Sequence, residues 1–422
     1  MTITSDMYAQ DTSNISSTAP TTKGTSATRK YSEWMTYSEM KRHQNKFLDF
    51  SDKPKWSYAT GIELEAMYDT YLRYGDPTIL DFCEGYVNSL VCDDGSIRGY
   101  RLNDFNLDNL RPGHLLTKMH KETPREKTRI AIMTLLEQTD NQPRTKTDSV
   151  YWHKAIYAYQ VWLDGIFMGL PFRVQSTNSF RDKETRLRVY DDAVRQVTKT
   201  YQRTYDKRTG LNRHAYDENR NMFWADTASG QSLHCWGRAQ GWFCMALIEI
   251  LDAMPENYDG RKQIIKTLRK CLNNVIRWQD RDSGLWWQVT DCPNKEGNYL
   301  ESTCSSMFAY TLLKAYNKGY VGRKYRDAGV KAYEGITREF IRHDADGTIS
   351  LTRCCAVAGL GPGRSDEVDE ALLKTGSKKP LRENRKRDGS FNYYINETIR
   401  DNDPKGIGPF IWASLEMERL NK

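Results

Sequence analysis

With 422 residues the chain has room for one large domain or two ordinary ones, and 38% hydrophobic residues suffice for a core. Its 62 basic and 55 acidic residues are mixed along most of the length, leaving a formal charge of +7. That balance suits an anionic ligand but lacks the concentrated basic stripe of a nucleic-acid-binding protein. No apolar run approaches the roughly 18 residues of a membrane-spanning helix. Nine cysteines, an odd number with no CxxC pair, argue against a disulfide scaffold.

Residues 1–30 are rich in Ser and Thr with almost no apolar clustering, which predicts a disordered tail. They hold no signal-peptide core, so the compartment is cytoplasmic or, had a signal been removed, periplasmic. From Tyr31 to the C-terminus, residues 31–422 read as a single helical domain. Helix-period patterns fall near 32–44, 56–74, 76–92, 108–120, 124–138 and 157–170, then near 185–204, 234–254, 260–279, 300–318, 323–341 and 405–420. Breakers such as Gly75-Asp76-Pro77, Thr123-Pro124, Met254-Pro255 and Asp403-Pro404 separate them.

Several helices end in a glycine turn followed by a short strand-like run. The turns are Asp94-Gly95, Thr209-Gly210, Ser283-Gly284, Asp346-Gly347 and Asp388-Gly389. Twelve helices make six hairpins, and hairpins with recurring loops at one end predict an all-α ring, an (α/α)6 barrel, with a pocket where those loops converge. The polar stretch Gly361–Asp388 interrupts the last repeat and reads as a mobile surface insertion. It contains the chain's one compact basic cluster, Lys378–Arg387, which reads first as a solvated loop.

The densest aromatic stretch is Trp152–Phe172, which carries one acid, Asp164, between Leu163 and Gly165. Apolar company disfavours a charged carboxylate and so makes a general acid; the competing reading is an acid facing solvent at the edge of a core helix. Gln160, Asp164 and Met168 are spaced to share a helical face. His153 lies eleven positions earlier, roughly 16 Å along a continuous helix. Both can line one pocket only if the chain before about Tyr157 is a loop.

Four further places stand out. Asp108, in Phe105–Asn109, precedes a helix and is either an N-cap or a pocket carboxylate. His153-Lys154 follows Tyr151-Trp152, and a histidine beside a tryptophan is often structural. His214 sits in one of the recurring loops. In Cys235–Trp242, Arg238 and Trp242 are helical neighbours, and an arginine bracketed by Trp236 and Trp242 can clamp a carboxylate while the indoles stack on a sugar ring or on the arginine itself. Gly359–Gly363 lacks the strand–turn–helix setting of a dinucleotide site, and there is no Walker loop, HExxH or G-x-S-x-G. No metal or nucleotide cofactor is expected.

These motifs resemble glycoside hydrolase family 105, the unsaturated rhamnogalacturonyl hydrolases, and more distantly the family 88 unsaturated glucuronyl hydrolases. The agreement runs in order from about Trp56 to the C-terminus, through Phe105–Asn109, Trp152-His153-Lys154, Gln160–Met168, Trp236–Trp242, Gly284–Gln288, Gly297–Ser302 and Asn402–Phe410. The resemblance implies an (α/α)6 barrel that removes an unsaturated uronic acid from the non-reducing end of lyase-generated oligosaccharides of rhamnogalacturonan or ulvan type. It implies that Asp164 is the general acid/base, that Asp108 shares its pocket, and that His153, His214, Trp236, Arg238 and Trp242 line it; Lys154, next to His153, is a further candidate for substrate binding. Ala158, where a proline is expected, and the long 361–388 insertion depart from the pattern. A non-catalytic sugar-binding toroid and a conventional inverting glycosidase are the alternatives.

Overall fold

A computed structural model describes residues 29–44, 46–47, 50–362 and 385–420. The expected tail, except for its last two residues, and most of the 361–388 insertion lie outside the described residues. Among the described residues, twelve helices exceed ten residues. They are α1 (Tyr31–His43), α2 (Tyr58–Tyr74), α3 (Pro77–Leu90), α4 (Arg111–Glu122), α5 (Glu126–Asn141) and α6 (Leu163–Phe180), followed by α7 (Lys183–Thr204), α8 (Gly237–Ala253), α9 (Arg261–Arg277), α10 (Ser302–Asn317), α11 (Arg323–Glu339) and α12 (Pro404–Leu420).

The even-numbered helices pack side by side in order, and α12 returns to α2, closing an inner ring. The odd-numbered helices pack outside their neighbours, so the molecule is an (α/α)6 barrel. Sequence character sorts the two layers. In α8 every residue from Gly237 to Leu251 is buried, whereas α9 buries one stripe through Ile264, Leu268, Leu272 and Val275. Local signals start and stop the helices: Asp76 accepts from the Thr78 amide at 2.8 Å with Pro77 following, and Gly75, at φ 78°, ends α2. No helix among the described residues is long and apolar enough to cross a membrane.

Connections from inner to outer helices are short, while those from outer to inner helices are long and carry the short strands. The expected glycine turns sit in these long connections, with Gly95, Gly210, Gly284, Gly347 and Gly389 all at positive φ. The inner-helix N-termini and the elaborate loops therefore share one end of the barrel.

One helix boundary is a correction. The pattern near 157–170 is realised as α6, Leu163–Phe180, preceded by strand β1 (Gln160–Trp162), which pairs antiparallel with β2 (Ala215–Asp217). Gln160 thus lies on a strand and shares no helical face with Asp164. The helix also runs through Pro171, because burial between neighbouring inner helices compensates for one missing backbone bond. The loop expected before Tyr157 is present.

Candidate active site

The β1–β2 register sets the centre of the site. Trp162 pairs with Ala215, and the Leu163 amide donates to the carbonyl of His214 at 3.1 Å. This holds His214 beside the first turn of α6, where Asp164 is buried at 9% exposure. His214 Nε2 lies 3.2 Å from Asp164 Oδ2, but the two are not aligned for a hydrogen bond, and both atoms are buried without a protein partner. His214 Nδ1 is 2.8 Å from the Tyr394 hydroxyl, which fixes the ring from behind.

Around this pair stands an aromatic wall. Trp162 meets His214 edge-on at 5.3 Å between centroids, and Trp236 lies 4.9 Å from His214 on another side. Trp236 is held by its Nε1–H donating to Gln288 Oε1 at 3.1 Å. His153 stacks on Trp162 at 4.7 Å, and Trp162 on Tyr157 at 4.6 Å. A Cβ added to Gly165 would fall 2.8 Å from His153 Nδ1, so His153 presses against the residue after Asp164. The loop before α6 brings the two together, as the spacing requires.

Asp108 occupies the one-turn 3-10 helix Leu107–Leu110 ahead of α4. Its carboxylate is not a cap there; Asn106 caps the turn by accepting from the Asp108 amide. Asp108 instead reaches Lys154 Nζ at 2.5 Å and His153 Nε2 at 3.6 Å. Burial works to raise the Asp108 pKa, but Lys154 and His153 outweigh it and hold the carboxyl below its usual range. Burial pushes His153 the other way, down to about 4, despite the attraction of Asp108. At neutral pH the site thus holds an ionised Asp108, a charged Lys154 and a neutral His153.

Arg238 opens α8 fully buried, with its guanidinium 5.3 Å from the Trp236 ring. Its Nη2 donates to the Cys355 carbonyl and to Thr303 Oγ1 at 3.3 Å, beside Glu301 at 3.5 Å, while Nε has no protein partner. Trp242 lies deeper, stacked on Phe167 at 4.7 Å between α6 and α8. Sequence reasoning missed Tyr58, at the start of α2, and Tyr394. Burial first and then Asp108 push the Tyr58 pKa up, so its hydroxyl stays protonated. No local signal distinguishes either tyrosine from the rest of the 25.

Two clusters of metal-ligand type occur among the described residues, His234/Asp291/Cys292 and Glu39/His43/Glu63. Their carboxylates already face cations: Asp291 is 3.5 Å from Arg213, and Glu63 is 3.4 Å from His43.

A ring-shaped helical barrel with a buried Asp164 and a half-buried Asp108 under an aromatic wall suits an enzyme that acts on a sugar. The chain belongs to glycosyl hydrolase family 88, whose family model matches residues 31–421. A solved glycoside hydrolase from family 105 of C. acetobutylicum is 38% identical and superposes with a TM-score of 0.82, covering 93% of this chain and 100% of its own. The unsaturated rhamnogalacturonyl hydrolase YesR of Bacillus subtilis is 22% identical over 271 residues, 62% of this chain and 72% of its own. The unsaturated 3S-rhamnoglycuronyl hydrolase of Formosa agariphila is 24% identical over 203 residues, 47% of this chain and 51% of its own. The expected family 105 and 88 relationship and the barrel are both borne out.

Proposed function

We infer that the chain removes the 4,5-unsaturated uronic acid from the non-reducing end of oligosaccharides left by polysaccharide lyases, with rhamnose as the adjoining sugar, as in rhamnogalacturonan or ulvan fragments. The observation that carries the mechanism is Asp164: a buried carboxyl with an unpartnered Oδ2 beside His214, walled by Trp162 and Trp236.

The substrate's double bond is a vinyl ether conjugated to a carboxylate, so its carbon 4 accepts a proton readily. Protonated Asp164 delivers that proton, and positive charge develops at carbon 5, shared with the ring oxygen. Asp164, now a carboxylate, takes a proton from the water that adds at carbon 5. The resulting hemiketal opens, and the anomeric carbon, now a hemiacetal, releases the aglycone. This differs from ordinary glycosidases, whose two carboxyls act at the anomeric carbon.

Asp108, ionised and held by Lys154, accepts from sugar hydroxyls or aligns the water. Trp236 offers a ring face to the sugar. The unpartnered Nε–H of Arg238 is the donor left for the uronate carboxylate, and Trp242, one turn further along α8, stacks on Phe167. His214 and His153 frame the sugar from either side of Trp162.

The test is Asp164→Asn, assayed by the loss of double-bond absorbance on unsaturated uronyl-rhamnose. A positioned acid/base contributes on the order of 10²–10⁴-fold, so turnover is expected to fall at least that far with the melting temperature retained. Near-normal turnover by the variant, or wild-type activity on saturated glycosides only, overturns this reading.

A further inference from the structure

Among the described residues, three cations near the site are already engaged in whole or in part. Lys154 is paired with Asp108 at 2.5 Å, and Lys405 with Asp403 at 2.7 Å. Both terminal nitrogens of Arg238 are turned to backbone carbonyls. Arg387 differs. It is the last residue of the basic cluster at 378–387, but its setting is not that of a free loop. Its carbonyl accepts from the Gly361 amide at 2.8 Å, which closes the base of the insertion, and its side chain is half-buried.

The guanidinium and Trp162 of the aromatic wall both lie beside Gly359. A Cβ placed on Gly359 would be 3.5 Å from Arg387 Nη1 and 3.5 Å from Trp162 Cζ3. Its charge is felt at Tyr157, the far member of the His153–Trp162–Tyr157 stack, and at Tyr393. Tyr393 is in turn pinned by accepting from the Gly359 amide at 3.0 Å. Among the described residues the Arg387 guanidinium has no ion pair and no hydrogen bond. A half-buried arginine with its fork unfilled is set to receive a planar or tetrahedral anion.

Depth decides which part of the substrate meets it. The terminal uronic acid must sit where Asp164, His214 and Arg238 are buried. Arg387, half-buried beside Gly359, is nearer solvent than these three. We propose that Arg387 binds an anionic substituent of the aglycone, such as a sulfate ester on the sugar next to the unsaturated uronic acid, and so sets the enzyme's preference among aglycones. This rests on the unsaturated uronyl hydrolase reading and adds the chemistry of the second subsite.

The experiment compares wild type, Arg387→Gln and Arg387→Lys on two unsaturated uronyl-rhamnose disaccharides, one sulfated on rhamnose and one not. A charge-assisted contact of this kind is worth about tenfold or more in affinity. Arg387→Gln is expected to raise KM for the sulfated disaccharide about tenfold with kcat unchanged, and to leave the unsulfated one within about twofold. Arg387→Lys, a charge without the fork, is expected to fall between. Equal rises in KM for both disaccharides would move Arg387 to the uronate carboxylate and overturn the proposal. Unchanged kinetics on both, or a wild type that accepts only the unsulfated disaccharide, would overturn it too. A wild type that turns over neither removes the underlying reading instead, so the two failures are distinct.

Discussion

His153 shows how burial alone can set a charge state. An imidazole in the unfolded chain titrates near 6.5, but burial keeps folded His153 neutral down to about 4. Because the folded value is the lower one, the unfolded chain takes up the proton first as pH falls. Stability is therefore lost between pH 6.5 and about 4 and levels off below. The full gap corresponds to about 3 kcal/mol. His153→Gln is expected to lose less stability than wild type between pH 7 and 4.5, measured by urea denaturation at each pH. A stability difference between the two proteins that does not change with pH would show that His153 is not the titrating group. Asp108 adds to the same trend: its carboxyl is held low by Lys154 and His153, so its contribution is present above the unfolded carboxylate range and disappears as pH falls through its depressed value.

At the scale of elements, the site depends on two seams. One is the β1–β2 pair, which converts what reads as the start of a helix into a strand and delivers His214 to Asp164. Three aromatic or β-branched residues among Tyr159–Trp162 fit a strand as well as a helix, and only the partner strand settles which forms. The other seam is where α12 closes the ring against α2. A Cβ on Gly408 would lie 2.6 Å from Ile62 Cγ2 and 2.9 Å from the Ile62 carbonyl oxygen. Backbone cannot yield as a side chain can, so Gly408→Ala is expected to destabilise by about 1–3 kcal/mol, read from the urea midpoint. An unchanged midpoint would mean that the seam tolerates separation. The α12 N-terminus carries Lys405, paired with Asp403 just before it, at the site end, so loosening this seam also disturbs that ion pair.

Across the whole molecule, the two ends of the barrel differ. The site end collects the long loops, while the other end opens a cavity of about 260 Å³ lined by Glu65, His114, Lys118, Glu249 and Lys314 among others. At its inner limit Arg111, fully buried, bridges three inner helices: it reaches Glu65 of α2 at 2.5 Å and Glu249 of α8 at 2.6 Å from the first position of α4. Burial would raise the Glu65 pKa, but Arg111, His114 and Lys118 together hold it well below the usual carboxylate range. Arg111→Ala strips both carboxylates of that partner. It is expected to destabilise by about 3–5 kcal/mol, read by chemical denaturation. A loss below about 1 kcal/mol would show that the remaining cations suffice to neutralise the pair.

Helix count, ring architecture and the loop-bearing end were legible in the chain, whereas the grouping of Asp164, Asp108, His153 and His214 followed from the family resemblance of their motifs. Periodicity, breakers and motif order are local properties, and burial in this fold follows them: all-round apolar segments such as Gly237–Leu251 became inner helices, and striped ones such as Arg261–Arg277 became outer helices. What only the tertiary structure decided were contacts between residues far apart in sequence. Tyr394 behind His214, Cys355 and Thr303 around Arg238, and Arg387 with Trp162 beside Gly359 leave no local pattern, because each depends on how a long connection folds back over the ring. A motif tells which side chains carry chemistry; the packing of distant loops determines which of their polar atoms are left free to use it.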